Sequence, residues 1–250
     1  NWDISLNIPA KYIKPVIKSP RECNYCKSTK IEIKNYLFNC FDNKDELDED
    51  TKAYISRWET NWFNKWASVK WRKNRYTVPQ LDAPDFVYPL INNDQLKIIY
   101  NDWNISFDAN LNCWFSKIDN SDLLTSELIC SLTMIYWELF GIANLWEWAI
   151  KQNPQYTMHS MLIHPSLLKN TELINKFEIL SKREMVSIFK EIWIDKTKDI
   201  RSQTPNPLPD RKELDDIIFN ELGLTQEERN EVYWSLAELV KARLDKAKSV

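Results

Sequence analysis

Glycine is nearly absent: Gly141 and Gly223 are the only two in 250 residues. A dinucleotide fingerprint, a P-loop and an S-adenosylmethionine loop each need several glycines, because backbone must come close to the ligand. None of the three can be built here. Histidine is almost as scarce. His159 and His164 stand alone, so no Ser-His-Asp arrangement can be proposed. No apolar run approaches the roughly 20 residues that span a bilayer. The N-terminal NWDISLNIPAKYIK lacks the charged head and apolar block of a signal peptide. An excess of positive charge is missing too. The net charge is −3, so any affinity for a polyanion must be local.

Cysteine is sparse and odd in number: Cys23, Cys26, Cys40, Cys113 and Cys130. That usage suits a reducing cytoplasm better than a secreted disulfide framework. Cys23-x-x-Cys26 with Cys40 hints at zinc, but a structural site wants four ligands, often in two pairs. The second pair is missing, and ordinary thiols are the favoured reading. The first residue is Asn rather than Met, and the chain reads as a piece of something longer.

What is present points to a folded chain. Apolar residues make up 44%, enough for a real core. KYIKPVIK and IEIKNYLF are strand candidates in the basic segment 11–34, and VYPLI with LKIIY looks like a strand pair within 87–107, with Asn-Asp-Trp-Asn as the turn. DNKDELDED at 42–50 reads as a solvated loop or a helix start. Residues 122–140 predict one buried helix, with Leu124, Leu128, Ile135, Leu139 and Phe140 near helical spacing and Gly141 as its stop.

The C-terminal third predicts helices. Ser181 with Glu184, Asp210 with Glu213, and Thr225 with Glu228 each match a capping box. Val232, Leu236, Leu239 and Val240 form the last apolar stripe. PNPLPD at 205–210 reads as a stiff linker that separates the two final helices from the rest.

Several constellations carry weak chemistry. Asn153-Pro154-Gln155-Tyr156 resembles the Asn/Asp-Pro-Pro-Tyr loop of amino-methyltransferases, yet its second Pro is Gln and no cofactor loop precedes it. A surface turn is the favoured reading. Asp85 after Pro84, and Glu32-Ile33-Lys34, supply pieces of a nuclease site in an unconvincing order.

One stretch stands apart. SVKWRKNRY at 68–76 puts four cations and two aromatic rings in nine residues, and no carboxylate occurs between Glu59 and Asp82. Lys65, Lys70, Arg72, Lys73 and Arg75 interleave with Trp62, Phe63, Trp66, Trp71 and Tyr76. Cations neutralise phosphates and read guanine edges, and aromatics stack on bases. The bland reading is a solvated basic face whose rings belong to the core, and for the rings alone core is favoured. For the cations, the missing acids favour a polyanion contact.

Several phrases then fall in a familiar order: KYIKPVIKSPRE, RKNRY before a Pro, FVYPLI, YWELFGIANLWEWAIK at 136–151, ILSKREMVSIFKEI, and the ending from PDRKELDD to KARLDKA. As a series they resemble the C-terminal part of N6-adenine DNA methyltransferases of restriction–modification systems, including fused type I and type IIG-like enzymes. The resemblance covers nearly the whole chain. It implies a target-recognition domain that binds double-stranded DNA. The catalytic core and its S-adenosylmethionine would lie upstream, and a restriction subunit or nuclease domain is a further partner. Where the family usually carries Gly-rich text, this chain has Trp146-Glu147-Trp148.

The expected fold is α+β: a mixed-sheet recognition domain over residues 1–165 around a buried central helix, then a helical C-terminal region over 166–250. Lys14, Lys18, Arg21, Lys65, Lys70 and Lys73 are the phosphate candidates. Arg72 and Arg75 are the base readers, because Arg grips guanine O6 and N7 with two hydrogen bonds. Trp71 and Tyr76 stack or brace. The rival is a helical interaction module that docks a methylase core or partner subunit, with the basic stretch merely solvated.

Overall fold

A computed structural model describes residues 5–61, 65–78, 82–108, 110–116, 121–143, 150–151 and 170–248. Asn153–Tyr156, both histidines, Trp62, Phe63 and Trp146-Glu147-Trp148 lie outside the described residues. The fold is α+β, with three small sheets beside helices and a helical C-terminal region.

The first sheet centres on β1 (Ile13–Ile17). It pairs antiparallel with β2 (Asn35–Phe38), from Ile13↔Phe38 to Val16↔Asn35. On its other side β6 (Ser106–Phe107) runs parallel and pairs only with Val16 and Ile17. Pro15 has no N–H to donate, and it sits where that second side is still unpaired. The predicted strands in KYIKPVIK and IEIKNYLF are therefore both present.

The second sheet centres on β3 (Phe86–Pro89), between β5 (Ile99–Tyr100) and β7 (Leu111–Trp114), all antiparallel. VYPLI and LKIIY do pair, with Phe86 opposite Tyr100. Alternation along β3 explains its apolar run. Phe86 and Tyr88 enter one cluster with Leu123, Leu128, Trp137, Phe177 and Ile218. Val87 faces the other way, against Ile17, Ile99, Ile105 and Leu111. A strand covered on both faces reads as continuous hydrophobicity. The third sheet joins β4 (Ile91–Asn92) and β8 (Ile142–Ala143) to β9 (Ile150–Lys151).

The central helix departs from expectation. It is two helices, α2 (Ser121–Leu128) and α3 (Ser131–Phe140), bent by 71°. Distant groups satisfy the freed backbone. Asp215 accepts from the Ser131 N–H at 2.9 Å and from its hydroxyl at 2.6 Å. Arg211 donates to the Ile129 carbonyl, and Cys130 caps α3 through the Thr133 N–H. Gly141 does follow the helix, but with extended backbone, so no left-handed conformation is needed there. Leu139 and Phe140 end up exposed. Among the described residues no single helix is long and apolar enough to cross a membrane.

Four further helices follow: α4 (Thr171–Leu180), α5 (Ile188–Glu191), α6 (Pro209–Glu221) and α7 (Gln226–Lys248). Ser181 closes α4 rather than capping a new helix: its N–H and hydroxyl bond back to the Phe177 and Glu178 carbonyls. Asp210 does not cap α6 either, because Pro209 is already its first residue and the Asp210 carboxylate is taken by Arg183. Thr225 and Glu228 do form a reciprocal box, at 2.8 and 3.3 Å. The segment 205–208 is a strap rather than a spacer, since Asn206 and Leu208 donate to the Ile192 and Glu191 carbonyls. Tyr233 and Ala237 join Val232, Leu236 and Val240 in the buried face of α7, while Leu239 is half-buried. Arg243 ties α7 to α3 by two bonds to Glu138, at 3.0 and 2.9 Å.

Candidate nucleic-acid interface

The basic aromatic segment rests on a small platform. The acidic run supplies the start of helix α1 (Glu49–Thr60), with Asp48 as N-cap to the Thr51 N–H at 2.9 Å and Glu49 and Asp50 in the first turn. Carboxylates there suit the positive end of the helix. Ile55 of α1 packs with Tyr12, Cys40 and Leu47, and Phe38 and Tyr76 cover that cluster. Tyr54 packs at a tilt against Phe38 with centroids 4.7 Å apart.

Residues 65–78 form successive turns. Val69 donates to the Trp66 carbonyl, Arg72 to Val69 and Thr77 to Asn74, at 3.1, 3.1 and 3.0 Å. Buried Val69 anchors the first of them. The second anchor is Asp42. Its carboxylate accepts from the Tyr12 hydroxyl and from Lys11, the latter at 3.1 Å. Its carbonyl accepts from the Tyr76 hydroxyl at 2.7 Å, and the Asn74 amide reaches the Phe41 and Asp42 carbonyls at 3.4 Å. The Tyr12 hydroxyl and then Lys11 hold the Asp42 carboxyl below its ordinary range. Burial raises the Tyr76 phenol. Residues 11–12 and 74–76 are thus fastened to one point. Lys18 and Arg21 lie beyond the opposite end of β1, where it meets β6.

The rings divide. Trp71 is 72% exposed and Trp66 59% exposed, so the core reading fails for both, although Trp66 still lines the space over α1. Tyr76 is half-buried and braces the loop, as a core ring would. Lys18, Arg21, Lys65, Lys70, Lys73 and Arg75 are exposed and Lys14 is half-buried. Lys70 and Lys73 meet no carboxylate among the described residues, whereas Lys44, on the flank, pairs with Glu59 at 2.7 Å. Arg72 turns inward. Its guanidinium donates to the Thr77 carbonyl and lies 5.6 Å from the Trp71 ring centroid.

Under this loop lies a cavity of about 260 Å³. Ile55 and Val69 form its floor, Phe38, Tyr54, Trp58, Trp66 and Tyr76 its aromatic walls, and Arg72 and Arg75 its cationic side. The aromatic-basic stretch read from the sequence runs over 54–76, but Tyr54 and Trp58 were not singled out as site residues. Their i, i+4 spacing on α1 was the available signal, since it puts two rings on one helix face.

The other candidates go elsewhere. Cys23, Cys26 and Cys40 enter three different core clusters, and burial pushes the Cys23 and Cys26 thiols up to about 12. Asp85 accepts from the Ser116 N–H and the Ser121 hydroxyl at 2.6 and 3.0 Å, a joint between β7 and α2. Lys34 pairs with Glu32 on the surface.

A restriction–modification methyltransferase C-terminal domain is the class that this fold and sequence define. Residues 19–143 match the family described as "Type II methyltransferase M.Eco57I, C-terminal domain", and the chain belongs to that family. The match includes Arg21 and the whole 65–78 loop but not Lys14 or Lys18. Among solved structures the chain is similar to the type IIG restriction endonuclease BpuSI, with TM-score 0.57 and 12% identity over 96% of this chain. It spans 27% of that protein's length, and the likeness shows the fold. No curated protein matches.

Proposed function

We propose that this chain is the target-recognition part of an N6-adenine-specific DNA methyltransferase in a restriction–modification system, and that it binds double-stranded DNA sequence-specifically. One observation carries the reading. An acid-free loop, pinned at Asp42, presents Lys70 and Lys73 without carboxylate partners among the described residues, beside an outward Trp71. Unpaired cations on a fixed frame are what phosphate contacts require. Lys14, Lys18, Arg21 and Lys65 extend the phosphate track, and Arg75 reads a base edge. Residues 1–165 do the recognising and 166–250 brace them. S-adenosylmethionine binds upstream, in the methylase core of the same cytoplasmic protein, which works with a nuclease domain or restriction subunit.

The test is a binding titration of the full-length protein on its methylation site and on a scrambled duplex, at several salt concentrations. Lys70→Ala and Lys73→Ala should weaken both duplexes together and lower the salt slope by about one each. Arg75→Ala should cost roughly 1–3 kcal/mol on the methylation site and little on the scrambled one. Three variants that bind both duplexes like the parent would leave residues 70–75 as a solvated face.

A further inference from the structure

Arg72 holds a group that its own fold leaves unserved. One guanidinium nitrogen bonds to Thr77, but the Nε–H is buried and has no hydrogen-bond partner among the described residues. A buried donor without an acceptor is costly and calls for an explanation. Arg72 itself lines the aromatic cavity, with this donor covered from the open space, and the other walls include the half-buried rings of Tyr54, Trp58 and Tyr76 and the exposed ring of Trp66. At about 260 Å³ the space is larger than the cavity of about 150 Å³ that holds benzene in a small protein core. Aromatic walls ask for a flat ring, the Arg72 guanidinium on the cationic side asks for a carbonyl oxygen on that ring, and Arg75 beside it, with Lys70 and Lys73 of the same loop, asks for a phosphate next to it.

A nucleobase within a nucleic acid strand meets all three demands. We propose that the cavity between α1 and the 65–78 loop is a receptor for one extrahelical, carbonyl-bearing base of bound DNA, stacked on Trp66 and its neighbouring rings and hydrogen-bonded by the Arg72 guanidinium. This rests on the DNA-binding reading above. Removing a base from the stack costs a few kcal/mol, and less where the base is already unpaired. The cavity therefore favours a duplex with a base ready to leave it.

The experiment compares three duplexes of one sequence, bound by the full-length protein. The first is fully matched, the second carries one unpaired thymine, and the third has an abasic residue in place of that thymine. The unpaired thymine should bind about tenfold tighter than the abasic residue, the lower part of what one base–aromatic stack contributes. Trp66→Ala, at an exposed ring, should erase most of that difference and leave matched-duplex affinity near the parent's. Arg72→Lys keeps the charge and loses the planar guanidinium, and should erase part of it. Equal binding of thymine and abasic duplexes by the parent overturns the receptor while leaving duplex binding intact. So does a difference that survives both variants. Failure to bind any of the three overturns the DNA-binding reading and the receptor with it.

Discussion

Replacing Glu191 by Gln should destabilise the protein by about 3–5 kcal/mol, the cost of breaking one side of a buried ion pair. Glu191 is 3% exposed and accepts from Arg183 twice at 2.8 Å and from Arg211 Nε at 3.2 Å. Arg183 keeps Asp210 if Glu191 is neutralised, but buried Arg211 keeps only its bond to the Ile129 carbonyl and its attraction to Asp215. For a chain of this size the loss corresponds to a fall in Tm of roughly 6–20 °C. The sign with pH follows from the folded carboxyl. Burial pushes Glu191 up, but Arg211 and Arg183 outweigh it and the net direction is down. Its contribution is therefore full above the unfolded value of about 4.3 and fades as pH falls through the folded one. Asp215 works in the opposite sense. Burial raises its carboxyl despite Arg211, so it favours the fold in acid and loses that effect as pH rises. Both chains keep Asp215, so the difference between parent and Glu191→Gln isolates Glu191. Urea unfolding from pH 3 to 8 measures it. A difference under about 1 kcal/mol at neutral pH would refute the reasoning, as would one that does not shrink in acid. The double variant Glu191→Leu/Arg211→Met should recover much of the loss, because no buried charge is stranded.

Thr225→Ala removes the N-terminal half of the box that starts α7 and should cost about 1 kcal/mol by the same melts; an unchanged Cm would mean that solvent serves those N–H groups equally well. Gly223 has φ +67, and nothing lies within 4 Å of a Cβ added there. Gly223→Ala should thus cost only backbone strain, about 1 kcal/mol, and a larger loss would reveal a steric clash. Cys113 is the exposed cysteine, while burial pushes Cys23, Cys26 and Cys130 up to about 12. A thiol reagent at pH 8 should label Cys113 first in the native protein, and early labelling of Cys26 read by peptide mass would contradict the packing.

The strands were legible because β-branched and aromatic residues concentrate in short runs, as in IKPVI and NYLF, and the Thr225 box because it needs only four consecutive residues. The break between α2 and α3 was not. Residues 121–140 carry an apolar pattern that one helix satisfies equally well, and the groups that stabilise the break, Arg211 and Asp215, come from more than 80 positions away. Ser181 and Asp210 carried valid box spacing, but a closing turn and an ion pair used them first. At the candidate interface, the missing acids marked the loop directly. The exposure of Trp66 and Trp71 was not legible, since an aromatic residue looks the same in sequence whether a turn carries it inward or outward. The clamp on Asp42 joins residues about 30 apart, so no local pattern announced it.

The central claim is that the 65–78 loop touches DNA, and photo-crosslinking tests it most directly. The methylation site is first read from the positions of methylated adenines in host DNA. A duplex with that site, substituted with a photoreactive thymine analogue at successive positions, is irradiated in complex with the full-length protein, and the adducts are mapped by mass spectrometry. Adducts within residues 65–76, centred on the outward ring of Trp71, are the predicted result. Adducts confined to residues 170–248, with none in the loop, would contradict the account and assign DNA contact to the helical region instead.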